Sequence, residues 1–165
     1  MPETPIELPV QQYLDAHNIP YRKASFPTTT EKGAANVAQA LGYRERQMIK
    51  TLIFTVIDTG EHTLIMVGGD QSAKSGLLKK ALGSRNITMV ASEAVFALTG
   101  YMIGSIPPFG WQPPGFRSFL EQSLMEEIEL GVGTGQWGQE IFISPARLVR
   151  ASGAHVVTLV EMPSP

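Results

Sequence analysis

The chain has 165 residues, 43% of them apolar and 17% charged, with 13 Lys and Arg against 15 Asp and Glu for a net charge of −2. Those values describe one globular domain spanning 1–165, and they exclude a disordered chain and a broad basic surface for nucleic acid. Cysteine is absent, which excludes disulfides, thiolate nucleophiles and Cys-ligated metals.

No window approaches the roughly 18 apolar residues of a membrane helix. The N-terminal MPETPIELP has no signal-peptide pattern, so the expected address is the cytoplasm, away from any membrane. In chain order, IELPVQQYLDAH (6–17) has helical spacing, and PYRKASF is extended. Thr28 and Glu31 have the spacing of a capping box before the helix KGAANVAQALG, with Gly42 as its C-cap. A helical turn is expected around Arg44–Met48. TLIFTVID (51–58) and HTLIMVGG (62–69) read as an antiparallel hairpin covered on both faces.

SAKSGLLKKALG (72–83) then predicts an amphipathic helix, NITMV a short strand, and ASEAVFALTG a helix opened near Ser92. FRSFLEQ and IELGVG read as strands with SLMEE between them. QEIFIS (139–144) is a strand, SPARLVRASG a helix with Pro145 in its first turn, and HVVTLVE the last strand. This order predicts an α/β or α+β fold, with short helices around a mixed sheet.

Several apparent motifs fail on their context. GGDQSAKS (68–75) follows a strand like a phosphate loop, but Ala73 stands where glycine is required, and a preceding hairpin is the wrong strand order. GTGQWG (133–138) matches a dinucleotide fingerprint, yet a strand follows it, so a hairpin turn is expected. His17, His62 and His155 have no partner at zinc-ligand spacing, and Ser72 with Lys74 reads as helix capping.

Two features resist a structural reading. Lys50 opens a strand that should be buried, where it either snorkels to water or supplies a fixed cation at a pocket mouth. In GYMIGSIPPFG (100–110), Gly104, Pro107, Pro108 and Gly110 fix a backbone with few shielding side chains, suited either to a tight turn or to N–H groups aimed at a ligand oxygen.

Together IKTL (49–52), VGGDQ, LLKKALG, LTGYMIGSIPPFG and GVGTGQWGQEIFISPARLVRASGA resemble, in this order, the bacterial prolyl-tRNA editing family, the YbaK-like aminoacyl-tRNA deacylases. The resemblance runs from about residue 25 to 160. It implies a central mixed, mostly antiparallel, barrel-like sheet flanked by short helices. It also implies hydrolysis in trans of a mischarged tRNA ester, with no metal or other cofactor. The implied tRNA is that for proline, carrying a small wrong amino acid such as alanine or cysteine, with serine and threonine also open.

The family's lysine falls on Lys50 and its glycine loop on Gly104, the two positions expected to be catalytic. Expected around the substrate are Phe26, Thr28, Thr30, Gly69, Asp70, Ser105, Ile106, Pro107, Gly110, Gly133 and Glu140, the last where relatives commonly carry Asp. Lys74, Lys79 and Lys80, with Arg44 and Arg46, are candidates for tRNA phosphates. The partners implied are the acceptor end of aminoacyl-tRNA and prolyl-tRNA synthetase. A non-catalytic binding module of the same fold is the rival reading.

Overall fold

In the computed structural model, which describes residues 7–161, α1 spans Pro9–Ala16, with Pro9 in the first turn where its missing N–H leaves no bond unmade. Residue 6 of the expected helix lies outside the described residues. β1 (Arg22–Ser25) follows, then α2 (Ala34–Leu41), which closes at Gly42 with φ of 78°, a left-handed cap that favours glycine. The expected Thr28–Glu31 capping box does not form. The Thr30 N–H donates to the Pro27 carbonyl at 2.9 Å in a turn, and the helix begins only after Gly33.

A 3₁₀ turn at Glu45–Gln47 leads into β2 (Ile49–Val56), which pairs antiparallel with β3 (Glu61–Gly68) from Ile49↔Gly68 to Val56↔Glu61. With β4 (Ile87–Met89), β5 (Arg117–Glu121) and β8 (His155–Val157), they form a sheet in the order β4-β2-β3-β5-β8. β3, β5 and β8 run parallel, while β4 pairs antiparallel with β2. A second sheet, β1-β7-β6, is antiparallel and contains β6 (Leu130–Gly133) and β7 (Gln139–Ile143). The expected mixed, mostly antiparallel sheet is thus present as two open sheets, not a closed barrel. A parallel bridge between Met48 and Gly131 joins them.

The remaining helices are α3 (Ser75–Leu82), α4 (Ser92–Thr99) and α5 (Pro145–Ser152). Strand alternation sorts β3 onto two cores. Leu64 and Met66 pack with Val10, Leu14 and Leu148, whereas Ile65 and Val67 pack with Leu78 and Leu82 of α3. Each such buried side chain contributes about 1.5–3 kcal/mol. A third cluster sets Val37 and Ala38 of α2 on Phe26, Met48 and Phe142. β2 is different: its first four residues, Ile49–Leu52, are only half-buried. They border a cavity at the seam between the two sheets.

Candidate active site

The cavity has a volume of about 230 Å³. Its walls come from segments far apart in the chain: the start of β2, the N-terminal turn of α2, the 103–106 loop, and the β6–β7 hairpin. Phe26, at the end of β1, supplies an apolar wall and is itself 7% exposed.

Lys50 enters from β2, opposite Val67 of β3. Its register is held by the hairpin, so the strand fixes where the lysine stem starts. Lys50 also contributes to holding the Asp70 carboxyl below its usual range, after the larger effect of the hydrogen bond from Arg46. That Arg46–Asp70 pair is made at 2.5 and 3.3 Å and sits outside the cavity.

Glu140 lines the same cavity from β7, opposite Ala24 and Gly133 in the ladders. Burial alone pushes its carboxyl up to about 8, because the surrounding apolar wall disfavours the anion. No ion pair joins Glu140 to Lys50 among the described residues. Lys50 and Glu140 thus border one cavity, with the Glu140 carboxyl shifted toward its neutral form.

The glycine-proline loop is apolar because most of it is an internal wall. Phe109 is fully buried and stacks near Tyr13, with centroids 5.9 Å apart. The Pro107 carbonyl accepts from Trp111 Nε1 at 2.5 Å, and the Pro108 carbonyl accepts from Gln112 Nε2 at 2.9 Å. Gly104 stands out from this wall: it is exposed, has φ of 91°, and a Cβ there would meet nothing within 4 Å. Ser105 is then tied down on both sides. Its N–H donates to the Met102 carbonyl at 3.1 Å, and its carbonyl accepts from the Gly135 N–H at 2.8 Å.

Of the residues expected from sequence, the cavity brings together Lys50, Gly104, Phe26, Ser105, Ile106, Gly133 and Glu140. Thr28, Thr30, Gly69, Asp70, Pro107 and Gly110 lie outside its walls. Gly69 serves packing instead, since a Cβ there would strike the Glu45 carbonyl and sit 2.6 Å from the Ala34 Cβ. Gly110 faces the Tyr13 ring, and Thr28 packs its methyl over Gly138.

The lysines proposed for tRNA are also dispersed. Lys74 pairs with Glu161, while Arg44 pairs with Glu127. Lys79 and Lys80 lie near the C-terminal end of α3, where Arg117 reaches the Leu82 carbonyl beside the start of β3. Lys50 is at the opposite end of that sheet, roughly 20–25 Å away at about 3.3 Å per strand residue.

Sequence reasoning missed Trp137, Gln136, Thr134 and Ile103, all of which line the cavity. In the sequence Trp137 stands out only as part of GTGQWG, whose spacing points to a hairpin turn and not to a ligand.

The family described as the aminoacyl-tRNA editing domain matches residues 28–151, three-quarters of the chain. This chain belongs to that family. The matched segment contains every cavity residue named above except Phe26, which precedes it.

Relatives within this editing-domain family extend the comparison. A candidate Cys-tRNA(Pro)/Cys-tRNA(Cys) deacylase, EbsC of Enterococcus faecalis, is 26% identical over 137 residues, covering 82% of both chains. The multifunctional Ser/Thr-tRNA deacylase ProXp-y of Escherichia coli is 25% identical over 124 residues, covering 73% of this chain and 74% of that one. A crystal structure of a candidate trans-editing enzyme for prolyl-tRNA synthetase superposes with a TM-score of 0.81 at 27% identity, covering 93% and 96% of the two chains. The YbaK-like fold expected from sequence is thus the fold observed.

Proposed function

We propose that this editing-domain protein is a trans-acting aminoacyl-tRNA deacylase, cleaving the ester between a small wrong amino acid and the terminal ribose of tRNA for proline. The observation that carries the reading is the meeting of Lys50, Gly104 and Glu140 around one cavity of about 230 Å³. That volume lies below the roughly 300–1,000 Å³ of a pocket enclosing a drug-sized ligand, so it suits a small acyl group and part of a ribose. Alanine and cysteine esters are the first candidates. The names of the relatives above, which include cysteine, serine and threonine deacylases, support a small substrate.

In this reading Lys50 holds the phosphate or ribose region of the terminal nucleotide. The Gly104 N–H, unshielded by a side chain, faces the ester oxygen and stabilises the negative charge that develops on it during attack. Water, or a hydroxyl or side-chain group of the substrate, attacks the carbonyl. The ester is already activated, so positioning and charge stabilisation carry much of the barrier without a covalent enzyme intermediate or a metal.

In this reading Glu140, whose carboxyl burial pushes up to about 8, ionises when the α-ammonium of an aminoacyl ester enters beside it. An opposite charge within a few ångströms favours the carboxylate. The cytoplasm is where such a substrate arises, and prolyl-tRNA synthetase is the partner that would release it.

The test is single-turnover incubation with tRNAs charged with alanine, cysteine, serine, threonine and proline. Loss of one or more of the non-cognate esters with wild-type protein, and its persistence with Lys50→Ala, is the expected result. If the ester is bound and protected instead, the chain is a binding module of the same fold.

A further inference from the structure

The cavity of about 230 Å³ suits the acyl group and part of the ribose, which leaves the base of the terminal nucleotide to be held by residues beside them. Trp137 lines the cavity from the turn between β6 and β7. Its ring is half-buried: Phe26 meets it edge-to-face, with centroids 4.9 Å apart and planes at 83°. Over the indole sits the Lys32 ammonium, 5.5 Å from the ring centroid, on an exposed side chain just before α2. A cation on an aromatic face is attracted by the ring quadrupole, and here the cation comes from an exposed, flexible side chain.

The arginines near this end of the fold are committed. Arg22 bonds Glu129, Arg44 bonds Glu127, and Arg46 bonds Asp70. Lys32 has no carboxylate partner among the described residues. Resting on Trp137 by a flexible stem, its ammonium can swing to a phosphate and uncover the ring.

We infer that Trp137 and Lys32 form a nucleotide platform at the cavity mouth, Trp137 stacking the terminal base of single-stranded RNA and Lys32 contacting its phosphate. The combination is what binding of a single strand requires: an aromatic face for the base and a nearby cation for the backbone. Stacking tolerates any base, so this platform holds the acceptor end without reading tRNA identity. The inference deepens the proposed function by assigning the nucleotide half of the substrate, and it rests on that reading for the identity of the RNA.

The experiment measures binding, not turnover, using uncharged tRNA and a short single-stranded RNA ending in adenosine. Trp137→Ala is expected to weaken both by about 5- to 100-fold, with Trp137→Phe recovering most of the loss. Lys32→Ala should lower the salt dependence by roughly one phosphate contact, a slope change of about 0.7 for a single strand. In a Trp111→Phe background, Trp137 is the sole tryptophan, and its fluorescence should be quenched on RNA binding.

Unchanged affinity in folded Trp137→Ala, or unchanged fluorescence at saturating RNA, overturns the platform. Failure of the wild type to hydrolyse any charged tRNA would instead count against the deacylase reading, while the binding data still judge Trp137 and Lys32.

Discussion

Gly133 and Ser105 meet backbone to backbone: a Cβ on Gly133 would lie 2.9 Å from the Ser105 carbonyl oxygen. The same carbonyl accepts a hydrogen bond from Gly135, so the loop carrying Gly104 is pressed against β6 and pinned there. The absence of a side chain at 133 is therefore what sets the width of the cavity on this side. Gly133→Ala forces backbone against backbone, where no flexible side chain can yield. The expected cost is about 1–3 kcal/mol in chemical denaturation, the range for overpacked sites. Misplacement of the loop should also lower kcat/KM for deacylation on the order of 10²-fold. A variant of wild-type activity would show that the loop position is immaterial to the reaction.

Lys50→Ala removes the cation at the cavity wall. If the cation stabilises the reacting end electrostatically, kcat/KM drops about 10²-fold or more, with the fold unchanged by circular dichroism. Single-turnover rates within a few-fold of wild type would remove Lys50 from the mechanism.

Glu140 sets a pH signature. Its folded-state carboxyl titrates near 8, above the ordinary value of 4.5, so the folded protein binds this proton more tightly than the unfolded chain does. Stability then falls as pH rises from about 4.5 to 8 and levels off beyond. Glu140→Gln keeps the shape without the titration, so the gap in Tm between wild type and variant should shift in the variant's favour across that window. A gap that stays constant from pH 5 to pH 9 would contradict the buried, unpaired carboxyl.

Glu121 behaves in the opposite sense. Burial would raise its carboxyl, but hydrogen bonds from the Leu159 N–H at 2.8 Å, the Ser123 hydroxyl and N–H, and the Val160 N–H outweigh that and lower it. Its contribution is present above the ordinary carboxyl pKa and is lost as pH falls through the depressed one. Glu121→Ala leaves these donors unpaired in a buried site, with an expected cost of about 1–3 kcal/mol or more. Urea denaturation at pH 7 and pH 4 checks both the size and the direction.

Lys79 and Lys80 offer a negative control for the RNA surface. They stand at the far end of the main sheet from the cavity, so the double change to alanine should alter tRNA affinity less than Lys32→Ala does. The reverse order, measured by filter binding at low salt, would move the acceptor stem onto α3.

The fold was largely legible from local pattern. The β-branched runs around Thr59-Gly60-Glu61 could only pair as a hairpin, and the glycines at 42, 83, 100 and 153 each close a helix in a left-handed conformation. Thr28 and Glu31 misled because the spacing of a capping box does not reveal that Pro27 and Thr30 have already closed a turn. Lys50 was legible as a local anomaly, a charge opening an apolar strand. Trp137 was not, because nothing within GTGQWG says that Phe26, over a hundred residues earlier, will stand beside it.

The first strand of the hairpin is locked along its length to β3, whereas the 101–116 segment has no regular structure and is held at a few points, the Gly135 N–H to the Ser105 carbonyl among them. Anchor and selector are thus built from materials of different stiffness. Under the proposed function, changes around Ile103 and Ile106 would reshape the acyl side of the cavity while Lys50 stays bolted to its strand.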